Sequence, residues 1–265
     1  MNAKTVLLSV AIAASLAACA TTTSPTGRKQ YVGAVSQQQL NQMGAQAFAQ
    51  LKSQKPQTSN AAQRDYVACV ARAIVMQLPA DARSGWETAV FADNEPNAFA
   101  LPGGKVGVYT GIFNVARNQD QLAGVIAHEI GHVMSRHHDE RITRQMGAQA
   151  LVGVAGAAAG DYGQLVTQGG SLLAQTGFLL PGSRAQETEA DVVGQQLMAR
   201  AGFDPRAAVG LWQNMIAAGG GRPPEWLSTH PDPQARIGEL QKRAADLVPT
   251  MEAARKAGHN PRCAR

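Results

Sequence analysis

The sequence predicts an α+β fold that is mainly helical, with a small antiparallel sheet beside one central helix. Three observations lead there. Most of the chain carries apolar residues at helical spacing, two short segments bounded by turn residues alternate like strands, and one helix holds two histidines a turn apart. Ser36 to Gln54 and Asn60 to Leu78 read as helices, the second opened by Asn60 with Gln63 three residues on, and Pro56 lies between them. Trp86 to Ala92 alternates like a strand and runs into the turn Asp93-Asn94-Glu95-Pro96. Val106 to Tyr109 reads as a second strand after the turn Pro102-Gly103-Gly104. Asn118 to Arg141 contains no proline and opens with Asn118 and Gln121 at capping-box spacing, so it reads as one helix. Leu122, Ile126, Ile130 and Val133 give that helix a packing stripe.

The N-terminus reads as an address rather than as fold. Met1 to Ala18 starts with the cation Lys4 and continues as an apolar run from Val6, too short to span a bilayer, which is the pattern of an export signal. The run closes on Leu16-Ala17-Ala18-Cys19, which resembles the lipobox of bacterial lipoproteins. That resemblance implies cleavage after residue 18, lipid on Cys19 and a flexible tether over 19–35. Residues 36–265 would then form one domain anchored at the periplasmic face of the outer membrane, because Ala20 rather than Asp follows the cysteine. Ordinary cleavage with Cys19 discarded is the alternative. With Cys19 lipidated, Cys69 and Cys263 remain; an exported chain most simply pairs them, pinning its tail to an early helix, and two free thiols are the alternative.

Composition excludes one large class of partner. The formal net charge of +5 includes Lys4, no run of Lys and Arg occurs, and aromatics make up only 5% of the chain, so no nucleic-acid surface is expected. Met146 to Pro181 is low in charge and rich in Gly and Ala, and reads as a pair of closely packed helices near the active site, or as a surface that leans on membrane or unfolded protein. No helical repeat follows.

The chemistry resides in His128-Glu129-Ile130-Gly131-His132. Side chains four apart on a helix share a face, so both imidazoles can reach one divalent ion while Glu129 points about 100° around the axis. His, His and a carboxylate are the ligand types of catalytic zinc, which takes three protein ligands and leaves a position open for water. The third ligand arrives from another helix, and Glu187 is the candidate. It belongs to Ser183-Arg184-Ala185-Gln186-Glu187-Thr188-Glu189-Ala190-Asp191, which continues helically to Arg200 and stops at Gly202. Asp191, one turn on, can orient a ligand histidine from behind. On spacing alone, such a Glu and Asp also describe a solvated face. His137 and His138 read as part of a solvated, charged helix end, and His259 as part of a polar tail.

These motifs, together with Ser228-Thr229-His230-Pro231 and Arg236, resemble peptidase family M48 in type and order, from about Asn97 to Arg236. The resemblance implies a gluzincin-like, zincin-type domain and a zinc-dependent endopeptidase. Its one Zn2+ would be held by His128, His132 and Glu187, with Glu129 as general base and Asp191 behind the ligands. It places His230 and Arg236 near the scissile carbonyl, where they stabilise the oxyanion; in some relatives the matching histidine instead caps the zinc, and sequence leaves both roles open. Asn97, Ala98, Phe99, Gly103 and Gly104 match the family's substrate-edge segment, which implies binding of extended polypeptide through its backbone. Implied substrates are unfolded or misassembled envelope proteins, and the implied partner is the outer-membrane assembly machinery. A lipoprotein chaperone with a latent or structural zinc site is the competing expectation.

Overall fold

A computed structural model describes residues 20–158, 182–218, 225–230 and 233–265. The export signal, Cys19 and the Gly/Ala-rich stretch beyond Ala158 lie outside the described residues. Two compact units emerge, one of 20–40 with 136–158 and one of 41–135 with the described residues after 181. No helix among the described residues is long and apolar enough to cross a membrane.

In the smaller unit, the segment read as a tether contains a hairpin, β1 (Ala20–Thr23) antiparallel to β2 (Lys29–Val32), followed by the start of α1 (Gln37–Gln54). The same unit holds α4 (His137–Ala158). The helix read as unbroken to Arg141 in fact stops at Met134, because Arg136 takes φ +53°, a left-handed conformation that no glycine advertises, and it pairs with Asp139. The solvated helix end is likewise corrected, since His137, His138, Asp139 and Glu140 are all buried. Arg28 forks Glu140 with two 2.8 Å hydrogen bonds, and the Gly33 N–H donates to Asp139 Oδ1, so the hairpin supplies partners the sequence does not reveal.

The larger unit is built around α3 (Gln119–Met134), buried on every face from Leu122 to His132 rather than along one stripe. Packed on it are α2 (Ala61–Val75), α5 (Arg184–Arg200), α6 (Ala207–Ala218) and one strand of a three-stranded sheet. Glycines let α5 come close: a Cβ on Gly131 would stand 2.8 Å from Ala190 O, and one on Gly194 3.0 Å from the His128 nitrogen. The sheet runs β3 (Glu87–Phe91), β5 (Lys105–Tyr109), β4 (Ala98–Leu101). It is mixed, which corrects the expected antiparallel pair: β3 is parallel to β5, while β4 is antiparallel to it. The glycine turn after Pro102 folds Ala98-Phe99-Ala100-Leu101 back beside β5, leaving β3 the opposite side; four apolar residues in a row hide this strand's alternation. Phe99 lies over Gly107, where a Cβ would sit 2.1 Å from its ring.

Cys69 and Cys263 form a disulfide with Cα atoms 5.7 Å apart, joining α2 to the C-terminal tail. The Gln119 side chain, at the start of α3, donates to Pro261 O and accepts from the Cys263 N–H. Because the bond closes a separation of 194 residues, a Cys69→Ser/Cys263→Ser variant should lose about 2–5 kcal/mol in denaturant unfolding. A loss below about 1 kcal/mol would mean the Gln119 contacts hold the tail unaided.

Candidate metal centre

Four helices deliver the site, each from a capped or constrained end. Asn118 caps α3 by accepting from the Gln121 N–H at 2.9 Å, which sets the phase of His128, Glu129 and His132. Ser183 and Gln186 form a reciprocal capping box that starts α5, so Glu187 falls in its first turn. Just before the cap, Gly182 leaves room for the Glu187 carboxylate: a Cβ there would lie 2.0 Å from Oε1, and the carboxylate would have to move off its position among the donors. A short helix, α7 (Glu225–Thr229), carries Trp226 and ends at His230, while α8 (Pro233–Lys256) places Arg236 in its first turn.

His128, His132, Glu187 and His230 are all buried, with one donor atom from each within 4.8 Å of all the others. His128 Nε2 and His132 Nε2 stand 3.1 Å apart, and Glu187 oxygens lie 3.4 Å from the first and 3.5 Å from the second. Donors roughly 2.0–2.1 Å from a tetrahedral zinc stand about 3.3–3.4 Å from one another, so these separations suit that ion. Glu187 Oε1 is buried without a hydrogen-bond partner, which a cation would remedy. The donor set therefore fits zinc. His230 Nδ1 lies 3.2 Å from His128 Nε2 and 2.8 Å from Glu187 Oε2, at a fourth corner of the group.

Behind the donors, Asp191 Oδ1 is 3.0 Å from His128 Nδ1, which turns Nε2 toward the centre. Arg236 forks Asp191 at 2.7 Å through Nε and Nη2 and donates to Glu187 Oε2 at 3.0 Å through Nη1. The Arg236 guanidinium is thus directed to the two carboxylates. Burial pushes Asp191 up, but Arg236 and His128 outweigh it and hold the carboxyl at about 2. Burial also opposes ionisation of Glu187, yet the three surrounding imidazoles hold it well below the carboxylate range. Glu129 is likewise pushed up by burial and drawn down to about 2, chiefly by His230. His230, disfavoured as a cation by burial, is raised to about 9 by Glu187 and Glu129.

Of the substrate-edge residues, Ala98 and Phe99 lie in β4, the strand that packs on α3, whereas Gly103 and Gly104 form the turn beyond it with φ +78° and +74°. Phe99 belongs to an aromatic cluster with Phe48, Phe91 and Tyr109, so its ring is core. Asn97 accepts from the Tyr109 N–H. Sequence reasoning overlooked Trp226, whose indole Nε1–H donates to Glu129 Oε1 at 2.9 Å. Its signal was available: a tryptophan four residues before His230 lies one helical turn away on the same face.

Known proteins resemble the chain across this architecture. A mitochondrial metalloendopeptidase OMA1 of Schizosaccharomyces pombe is 43% identical over 159 residues, covering 59% of this chain and 46% of the relative. The β-barrel assembly-enhancing protease of Escherichia coli K12 is 30% identical over 218 residues, covering 79% of this chain and 45% of the relative. The OMA1 of Arabidopsis thaliana is 36% identical over 151 residues, 57% of this chain and 30% of the relative. The chain thus spans less than half the length of each of these relatives. Residues 57–244 match the description of peptidase family M48, a stretch that contains the HExxH helix, Glu187, His230 and Arg236, and the chain belongs to that family.

Proposed function

We propose that the chain is a zinc-dependent endopeptidase of the bacterial cell envelope that cleaves unfolded or misassembled proteins, with zinc on His128, His132 and Glu187. The observation that carries this reading is the convergence of those three donors at tetrahedral spacing, with the Glu129 carboxylate 3.3 Å from His230, the fourth member of the group. Zinc bound there supplies Lewis acidity, polarising a carbonyl and acidifying a water. Glu129 takes the proton from the attacking water and returns it to the leaving amine as the C–N bond breaks. Asp191 and Arg236 hold His128 and Glu187 in place, a supporting role for Arg236.

Substrate enters along β4. The Tyr109 N–H donates to Asn97 O, so antiparallel alternation turns the main-chain groups of Ala98 and Ala100 away from β5, toward the side on which no described strand pairs with β4, although both residues are buried in the form shown. An extended polypeptide adding there is read by its backbone, which suits unfolded chains of varied sequence. The Escherichia coli relative's name supports β-barrel proteins as the substrate class and assembly quality control as the setting. Lipid on Cys19 rests on Leu16-Ala17-Ala18-Cys19, and the outer-membrane location on Ala20, rather than Asp, after the cysteine.

The fourth corner favours a second state. His230 Nδ1, on Glu187 and beside His128, stands where a fourth ligand would cap the metal, and in this reading catalysis requires that imidazole to withdraw. The test uses the zinc-loaded chain and casein. Wild type should cut slowly, His230→Ala several times faster, and a chelator should stop both while circular dichroism holds. Chelator-resistant cleavage would sink the proposal. Unfolding on zinc removal, with no cleavage by either protein, would make this a structural zinc in an assembly factor.

A further inference from the structure

Trp226 is fully buried. Indole has one donor and no acceptor, and here the donor is spent on the carboxylate proposed as general base, 2.9 Å away. His230 Nε2 lies 3.3 Å from the same oxygen, Glu129 Oε1. Glu129 Oε2 has no hydrogen-bond partner among the described residues. The indole is itself immobilised: its ring lies on Trp212 with centroids 4.5 Å apart, and the Arg236 guanidinium covers Trp212 at 3.9 Å. Arg236 in turn grips Glu187 and Asp191.

We propose that Trp226 is a positioning residue for the endopeptidase reaction: it pins Glu129 Oε1, so that Oε2 is presented to the proton being moved, and the Trp226, Trp212, Arg236 stack fixes the base relative to Glu187. The proposal rests on the endopeptidase reading. A carboxylate free to rotate about its terminal torsion presents either oxygen at a range of angles, and proton transfer tolerates little misalignment. One hydrogen bond to a rigid, stacked donor removes that freedom. Trp226 touches the His230 ring on one side, with centroids 4.8 Å apart, and Trp212 on the other at 4.5 Å, so the Trp212 stack still holds the indole on Glu129 when the His230 side chain turns away.

Trp226→Phe keeps the stacked ring and deletes only the N–H. In both the wild-type and His230→Ala backgrounds it should lower kcat on a quenched peptide by roughly tenfold, with KM and zinc per chain unchanged. A readout independent of turnover comes from the metal-free full chain labelled at its three tryptophans. The Trp226 indole N–H should lose protection from solvent exchange and move upfield in Glu129→Ala, whereas His230→Ala, which removes only a ring 4.8 Å away, should shift it by ring current and leave its exchange protection intact. An indole signal indifferent to Glu129, a rise in kcat, or a joint change in KM and zinc content would overturn the positioning role while leaving the protease intact. No cleavage in any background, with the indole still responding to Glu129, would overturn the protease and the role together.

Discussion

Glu129→Gln should retain a full equivalent of zinc and the wild-type unfolding midpoint while losing at least about 10²–10⁴ in kcat/KM, the range that a positioned general base contributes. The substitution is nearly isosteric. Its amide oxygen still accepts from Trp226, so the packing around α3 survives, but an amide cannot take a proton from water near neutral pH. Zinc should stay, because Glu129 is not among the four converging donors. With His230 in place, its charge overcomes the cost of burial and draws the wild-type carboxyl down to about 2; withdrawal of His230 removes that pull, and burial then raises the carboxylate toward the range of a working general base. Metal analysis, thermal unfolding and peptide cleavage on one preparation separate the outcomes. More than about a tenth of wild-type activity would remove Glu129 from the reaction, since that residue would then supply under 1.4 kcal/mol of barrier lowering.

How much of this was legible in the sequence depends on the range of each interaction. The donors on α3 were readable because helical geometry fixes His128 and His132 by spacing alone, and the Asn118 cap anchors that phase. Glu187 needed the family's motif order, since nothing local distinguishes it from the solvated face its spacing also describes. The sheet was half read: β3 and β5 stood out by the turn residues beside them, whereas β4 is apolar at every position, and parallel pairing of β3 with β5 is a long-range choice that no local pattern encodes. The break at Arg136 and the buried His137 to Glu140 stretch escaped because their partners, Arg28 and Gly33, lie more than a hundred residues away. Trp226 carried a local signal in its spacing from His230, but the partner that gives it a role, Glu129, lies 97 residues away in sequence.

Arg236→Met should be the most damaging substitution outside the converging donors, lowering stability by about 3–5 kcal/mol and zinc affinity by roughly 10–100-fold. The guanidinium makes three short hydrogen bonds to two buried carboxylates; methionine removes the main countercharge of Asp191 and one donor from Glu187, leaving only the imidazoles to support them in a medium that cannot solvate them. The pH dependence follows from Asp191. Its carboxyl is depressed in the fold to about 2 from an ordinary 3.8, so the stability it contributes is fully present above the ordinary value and is lost as pH falls through about 2. Metal-free wild type should therefore lose stability between about pH 4 and pH 2. Without Arg236, burial is the dominant influence left on Asp191, its carboxyl should rise, and the acid-induced loss should begin at higher pH. Arg236→Lys separates charge from geometry: one ammonium restores a countercharge but not the fork, so it should recover part of the stability and little of the affinity. Full recovery of zinc binding in Arg236→Lys would show that charge alone sets Glu187, and that the fork on Asp191 is incidental to how His128 faces the metal.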